Sequence, residues 1–297
     1  MIDVQEIIAC LYCGGEAKLF EKNARHPYAP GFGPFQIYQC RSCSSLLTHP
    51  VPGSQEMAAL YESFETGMHK KARDLRTRYP LRTWFLQCLD HMMKGTSLNA
   101  NPEFSWIDVG AGNGEMVSLI HQTFPASKGT AVDYHERPAH LNNNVNWIRA
   151  DLSSEMSLMD KADLVFALTV LEHMTDPVQF IRSCLDLMKP GGVFYFNCPR
   201  ADANFFRILG KKWPYYLPGE HITVPSISGL SKLMQRECSR KFGDRYTLNI
   251  YPVVLPYPLG FYIGYLLPAT MKYFSLSTDI YFPTGMLECQ LILHDPH

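Results

Sequence analysis

Trp106-Ile107-Asp108-Val109-Gly110-Ala111-Gly112-Asn113-Gly114-Glu115 is the stretch that decides the fold. An apolar β-type run, Phe104 to Val109, stops at three glycines spaced two apart. An apolar helical pattern of Met116, Val117, Leu119 and Ile120 starts at once. Strand, glycine turn and helix bring bare backbone N–H groups and a helix N-terminus up to a ligand. Glycine is required there because a Cβ would block close approach or because the turn needs φ > 0. A dinucleotide fingerprint has a longer second gap, G-x-G-x-x-G. Gly110-x-Gly112-x-Gly114 lacks that gap and carries Asp108 two residues upstream.

Further matches follow in order. A second strand, Gly129 to Val132, ends at Asp133, an acidic tip residue suited to accept two ribose hydroxyls. A third strand over Val145 to Arg149 leads into Ala150-Asp151-Leu152, and a fourth begins at Asp163 and runs through Leu168 to Glu172-His173. Leu187-Met188-Lys189-Pro190-Gly191-Gly192 closes a helix and turns into a fifth strand, Val193 to Cys198.

This ordered set resembles the class I S-adenosylmethionine-dependent methyltransferases. The resemblance implies a Rossmann-like α/β domain whose seven-stranded sheet has its last strand antiparallel. It implies S-adenosylmethionine as cofactor, held by Asp108, Gly110, Gly112, Gly114, Asp133, Asp151, Leu152 and Leu168, with Asp151 at the adenine amino group. Tyr246–Tyr251 is the expected sixth strand and Cys289–Leu293 the seventh. Alternation of strand and helix over 104–199 independently calls for a parallel sheet covered on both faces.

Working outward, the first fifty residues carry Cys10-x2-Cys13 and, after 26 intervening residues, Cys40-x2-Cys43. Each pair is the short loop that lets two thiolates wrap a tetrahedral Zn²⁺, and Phe35 to Gln39 reads as a strand entering the second loop. A structural zinc ribbon is expected; His26 and His49 are spare neighbours that read as surface residues. Nine cysteines, an odd number, fit a reducing compartment better than a disulfide framework. Cys40-Arg-Ser-Cys43, then Pro50-Val-Pro52, then Met57-Ala-Ala-Leu-Tyr61 resembles the start of zinc-ribbon methyltransferases from sugar and natural-product pathways. Ser44 departs from that pattern, which often has glycine there.

The expected domains are a ribbon at 1–50, a helical linker or cap at 51–102, and the S-adenosylmethionine-binding domain at 103–297. That last domain includes an acceptor lid at about 200–230 and an apolar insert at about 252–287. A basic run (His69, Lys70, Lys71, Arg73, Arg76, Arg78) reads as a solvated helix face, because no aromatic is interleaved for base stacking. Residues 252–287 contain five prolines and eight aromatics but only Lys272 and Asp279 as charges. That composition suits ordinary packing, a lid over a greasy substrate, a dimer surface or a membrane-touching patch.

Hydrophobic residues make up 46% of the chain, enough for a large core, and the formal net charge is −1. Near-neutral charge gives no global attraction to nucleic acid or to an anionic membrane. No uninterrupted apolar run reaches the ~18 residues expected of a transmembrane helix, and no signal-peptide layout is seen, so a cytoplasmic location is expected.

Methyl transfer is an in-line displacement that needs alignment and, where the nucleophile carries a proton, a base. His173, just past the fourth strand at the ligand-binding edge of an open α/β sheet, is the first catalytic candidate. His221, in Pro218-Gly219-Glu220-His221-Ile222, is the second, since that loop resembles the family segment lying over the acceptor site. Glu172 reads as loop-shaping. Glu172-His173 also matches half of the Glu-x-x-Glu-His metal motif of RNA 3′-end 2′-O-methyltransferases, but Thr169 stands where the first Glu belongs. The expected acceptor is a small molecule, sugar or lipid-linked biosynthetic intermediate. An RNA base methyltransferase with a zinc ribbon, or an inactive cofactor-binding scaffold, are the competing readings.

Overall fold

In the computed structural model, the described residues are 7–27, 29, 31–62, 78, 81–141, 144–150, 152, 156, 159–260, 263 and 278–295. Asp151, most of the basic run and residues 264–277 of the apolar insert lie outside them.

The chain opens with β1 (Ile7–Ala9), β2 (Glu16–Ala24), β3 (Phe35–Cys40) and β4 (Leu46–His49), an antiparallel meander. Helices α1 (Ser54–Glu62) and α2 (Arg82–Met93) follow. The α/β unit then runs β5 (Ser105–Val109), α3 (Glu115–Thr123), β6 (Lys128–Asp133), β7 (Asn146–Arg149), β8 (Ala162–Leu168), α4 (Pro177–Asp186) and β9 (Met188–Pro199). It ends with α5 (Asn204–Leu209), β10 (Thr223–Val224), α6 (Ile227–Phe242), β11 (Tyr246–Pro258) and β12 (Asp279–Leu293).

The large sheet has the order β11-β12-β9-β8-β5-β6-β7. Strands β7, β6, β5, β8 and β9 are mutually parallel, and β12 runs antiparallel to both β9 and β11. Strand order reverses between β5 and β8, and ligands of open sheets bind outside the carboxyl ends at such a switch point. Period-two alternation sorts β9 onto two faces. Val193 and Tyr195 join the core layer beneath α2 and α3, while Phe194, Phe196 and Cys198 join the layer with α4 and α6. Each large apolar side chain fully buried in this way stabilises the fold by about 1.5–3 kcal/mol.

The sixth and seventh strands run well past their expected bounds, through 252–258 and 279–288. Their pairing continues from Tyr246↔Leu293 to Pro258↔Asp279, with a bulge between Val253 and Leu255. Prolines 252, 256 and 258 are tolerated because β11 is the edge strand, where a missing N–H need not break a ladder. The ends of the apolar insert are therefore sheet.

Two helix starts are fixed locally. Asp176 accepts hydrogen bonds from the N–H groups of Val178 and Gln179 with Pro177 at the first helical position, and Ser226 accepts one from Gly229 N–H.

The N-terminal meander does not stand apart. Strand β10 adds to its edge, Thr223 opposite Leu47 and Val224 opposite Leu46. Cys10, Tyr12, Tyr38 and Leu47 belong to the same continuous core as Ile107, Phe196 and Leu230.

Candidate active site and thiol cluster

The three glycines of the β5–α3 turn all have positive φ: +81° at Gly110, +54° at Gly112 and +74° at Gly114. Their surroundings differ. A Cβ at Gly110 would strike Val170 at 2.5 Å, and one at Gly114 would strike Leu141 at 2.7 Å. Among the described residues, a Cβ at Gly112 meets nothing within 4 Å, so of the three glycines this one leaves the room a ligand cradle requires.

Asp133, at the tip of β6, accepts the Gly112 N–H through Oδ2 at 2.8 Å and both the backbone N–H and Nδ1 of His135 through Oδ1. It thus braces the glycine turn, and hydroxyls entering here would compete with the largely exposed His135 ring. Asp108 is buried at the end of β5. Burial, then the nearby Asp133 and Glu115 carboxylates, push its carboxyl well above the ordinary value. A buried carboxyl with those neighbours is relieved by a cationic partner, such as the α-ammonium of S-adenosylmethionine would supply. Leu152 is half-buried beside Gly110, and Leu168 is half-buried at the end of β8. The residues present fit the cofactor.

Across the same edge, a single 3₁₀ turn, Leu171–His173, follows β8. It is entered through Thr169, whose φ of 54° is a strained conformation for a β-branched residue. His173 Nδ1 lies 3.1 Å from the Glu220 carbonyl, and His221 Nδ1 lies 2.8 Å from the Tyr215 carbonyl. A carbonyl only accepts, so both imidazoles donate through Nδ1–H and keep an Nε2 lone pair. The two rings meet edge-on, centroids 5.0 Å apart.

Burial pulls the His173 pKa below its ordinary 6.5. Burial and then the adjoining His173 pull His221 down to about 3. Burial pushes Glu172 up to about 8, and its Oε2 has no hydrogen-bond partner among the described residues. The site near neutral pH is two unprotonated imidazoles beside a protonated carboxyl. His173 is the better base, because a general base works best with a pKa near the operating pH.

Several participants were not singled out from sequence. Burial raises the Glu220 carboxyl, but the hydrogen bond from His26 and the nearby imidazoles outweigh it and hold it down to about 2. His26 is 1% exposed, its Nε2 2.7 Å from Glu220 Oε2, which corrects its reading as a surface residue. Tyr12 is fully buried with its hydroxyl 2.8 Å from Thr223 Oγ1. Both lie about 200 residues from their partners, beyond the reach of any local pattern.

The four ribbon cysteines converge, Cys10 Sγ to Cys43 Sγ at 3.7 Å and Cys13 Sγ to Cys40 Sγ at 3.5 Å. These separations exceed the about 2.05 Å of a disulfide. They approach the about 3.8 Å edge of a tetrahedron with Zn–S bonds of about 2.3 Å. The two knuckles match: Gly14 N–H donates to Cys10 O and Ser44 N–H to Cys40 O, with φ of 74° and 67°. Ser44 therefore occupies the left-handed position that its glycine counterpart Gly14 fills without strain, a conformation costing serine about 1 kcal/mol. The donor set fits a structural zinc.

A family model described as a methyltransferase domain matches residues 67–237, more than half of the chain. The chain belongs to that family, the class I S-adenosylmethionine-dependent methyltransferases. Among curated relatives, the ubiquinone biosynthesis O-methyltransferase of Pseudomonas fluorescens is 29% identical over 118 residues, covering 36% of this chain and 50% of the relative. That of Nitrosospira multiformis is 27% identical over 169 residues, covering 52% and 70%. The chain thus spans about half the length of the first of these relatives.

In structure it is similar to the plantazolicin methyltransferase BpumL in complex with a triazolic desmethylPZN analog and SAH. The TM-score is 0.57 at 17% identity, covering 80% of this chain and 95% of that one. The BamL enzyme, in the corresponding complex, gives a TM-score of 0.59 at 11% identity over 80% and 95%. These likenesses agree on the fold. No helix among the described residues is long and apolar enough to cross a membrane.

Proposed function

We propose that this chain transfers a methyl group from S-adenosylmethionine to a nucleophilic atom of a small-molecule, sugar or lipid-linked biosynthetic intermediate. The observation that carries the reading is the pair His173 and His221, each held as an Nδ1–H donor to a backbone carbonyl, at the carboxyl edge shared with the glycine turn. When bound, S-adenosylmethionine supplies an electrophilic methyl group on a sulfonium.

Asp108, the Gly110–Gly114 turn, Asp133, Leu152 and Leu168 are assigned to hold the cofactor, together with Asp151. His173 Nε2 accepts the proton of the acceptor's hydroxyl, amine or acidic carbon as the new bond forms. His221 orients the acceptor, and Glu172 shapes the loop that carries His173. The burial that weakens both imidazoles as bases also keeps them unprotonated and ready to accept. We assign residues 1–50 to the zinc ribbon, 51–102 to a cap and 103–297 to the catalytic domain.

The test is calorimetric titration of the purified chain with S-adenosylhomocysteine, with metal analysis of the same sample, then an acceptor screen starting with lipid-linked sugars. Micromolar binding with one zinc per chain is the expected result. Absence of binding by folded, zinc-loaded protein would overturn the proposal and leave an inactive scaffold, while steeply salt-dependent RNA binding would favour the RNA reading.

One observation favours a second reading of the same residues. The Glu172, His173 and His221 ligand atoms all lie within 4.8 Å of one another, a donor set that also suits a divalent cation. Transfer abolished by a chelator that leaves the ribbon zinc in place, and restored by Mn²⁺, would establish that reading.

A further inference from the structure

The N-terminal ribbon grips the segment carrying His221 from several sides. Thr48 N–H donates to the Ile222 carbonyl, and Thr48 Oγ1–H donates to the His221 carbonyl. Strand β10 pairs with β4 immediately afterwards, and Tyr12 meets Thr223. Ser45 Oγ then accepts the Ser226 N–H at the start of α6. One of these contacts reaches the catalytic edge through a single residue. His26 bonds the Glu220 carboxylate at 2.7 Å, and the carbonyl of that same Glu220 lies 3.1 Å from His173 Nδ1.

We infer that His26 is a positioning residue for the acceptor-side histidines, acting through the Glu220 turn. Its side chain and that of Glu220 are both almost fully buried, so the carboxylate has little access to water as a substitute partner. The turn itself is tight: the N–H groups of Glu220 and His221 both donate to the Leu217 carbonyl. A tight turn anchored by its central side chain fixes where the Glu220 carbonyl points. That carbonyl selects the Nδ1–H form of His173 and leaves Nε2 as the acceptor nitrogen. Without the anchor, His173 reverts to the mixture of tautomers of a free imidazole. The ribbon is then a working part of the acceptor side as well as a metal-stabilised appendage. The role assigned to Nε2 rests on the proposed methyl transfer, whereas the tautomer control stands without it.

The test uses the full zinc-loaded chain labelled with ¹⁵N-histidine. Long-range ¹H–¹⁵N spectra report each ring's tautomer, with the signals of His173 and His221 assigned by loss in His173→Asn and His221→Asn. The unsubstituted chain should show Nδ1–H for both. His26→Ala should move the His173 tautomer ratio toward Nε2–H by roughly tenfold, the effect of one neutral hydrogen bond. His26→Gln, whose amide can still donate to Glu220, should restore it. Glu220→Ala breaks the same bond without touching the ribbon and should reproduce His26→Ala, which covers the case in which that variant does not fold.

Affinity for S-adenosylhomocysteine should stay unchanged in all of these, because the glycine turn lies on other strands. A lowered melting temperature with unaltered His173 and His221 tautomers in a folded His26→Ala or Glu220→Ala chain would overturn the inference. Loss of S-adenosylhomocysteine binding by the unsubstituted chain would instead strike the proposed function and leave the tautomer result intact.

Discussion

Replacing Gly112 by alanine separates a ligand cradle from an ordinary tight turn. The residue sits at φ +54°, and an added Cβ meets no atom of the described residues within 4 Å. The penalty to the folded chain is then only the left-handed strain, about 1 kcal/mol, or roughly 2 °C in melting temperature for a chain of this size. Gly95→Ala is a matched control, with φ +72° and only an ordinary contact at 3.9 Å to Ile292. It should lose a similar amount of stability. The two variants part company in binding. A methyl group placed over the turn holds the cofactor away from the Gly112 backbone, which the ligand must approach closely. A hundredfold loss of affinity for S-adenosylhomocysteine, about 2.7 kcal/mol, is expected for Gly112→Ala and none for Gly95→Ala. Calorimetric titration with thermal melts of the same samples decides it. Wild-type affinity in a normally folded Gly112→Ala chain would show that the cofactor does not cross this loop.

His173→Asn should lower methyl transfer by about 10²–10⁴-fold while the dissociation constant for S-adenosylhomocysteine holds, measured by turnover and calorimetry side by side. Because the His173 pKa lies below 6.5 and the base must be unprotonated, transfer should be flat from neutral to alkaline pH. It should fall only below the usual imidazole range, and a rate still climbing through pH 8 would contradict this assignment. Glu220 has its carboxyl depressed from 4.5 to about 2, so it adds stability above pH 4.5 that is lost as the pH falls through 2. That shift corresponds to about 3 kcal/mol, and acid-unfolding curves of His26→Ala should lose most of this dependence. Metal analysis should find one zinc per chain; Cys40→Ser should lose it and melt earlier, since β4 carries β10. Full folding without zinc would sink the ribbon assignment.

The sheet was legible because its signals are local. The run Phe104–Val109 before three glycines, Asp133 at a strand tip and Gly191-Gly192 before an apolar run each specify backbone geometry within a few residues. Their order along the chain carries the resemblance that implied the seven-stranded topology. The full length of β11 and β12 was not legible, since prolines at 252, 256 and 258 read as breakers until β11 is known to be an edge. His26 was misread for a related reason. A lone histidine in a proline- and glycine-rich loop has no periodicity that reveals burial, and its partner Glu220 is 194 residues away.

Sequence alone determined the parts whose chemistry is carried by spacing. These are the glycine turn, the two Cys-x2-Cys pairs and the position of His173 just beyond a strand end, each set within a few bonds. Tertiary structure alone decided how these parts meet. It put β10 on the ribbon's edge and brought His221 to His173. It also closed a path from His26 through Glu220 to His173 Nδ1. Those contacts depend on packing between elements far apart in sequence, and the burial that shifts Glu172, His221 and Glu220 exists only once that packing is complete.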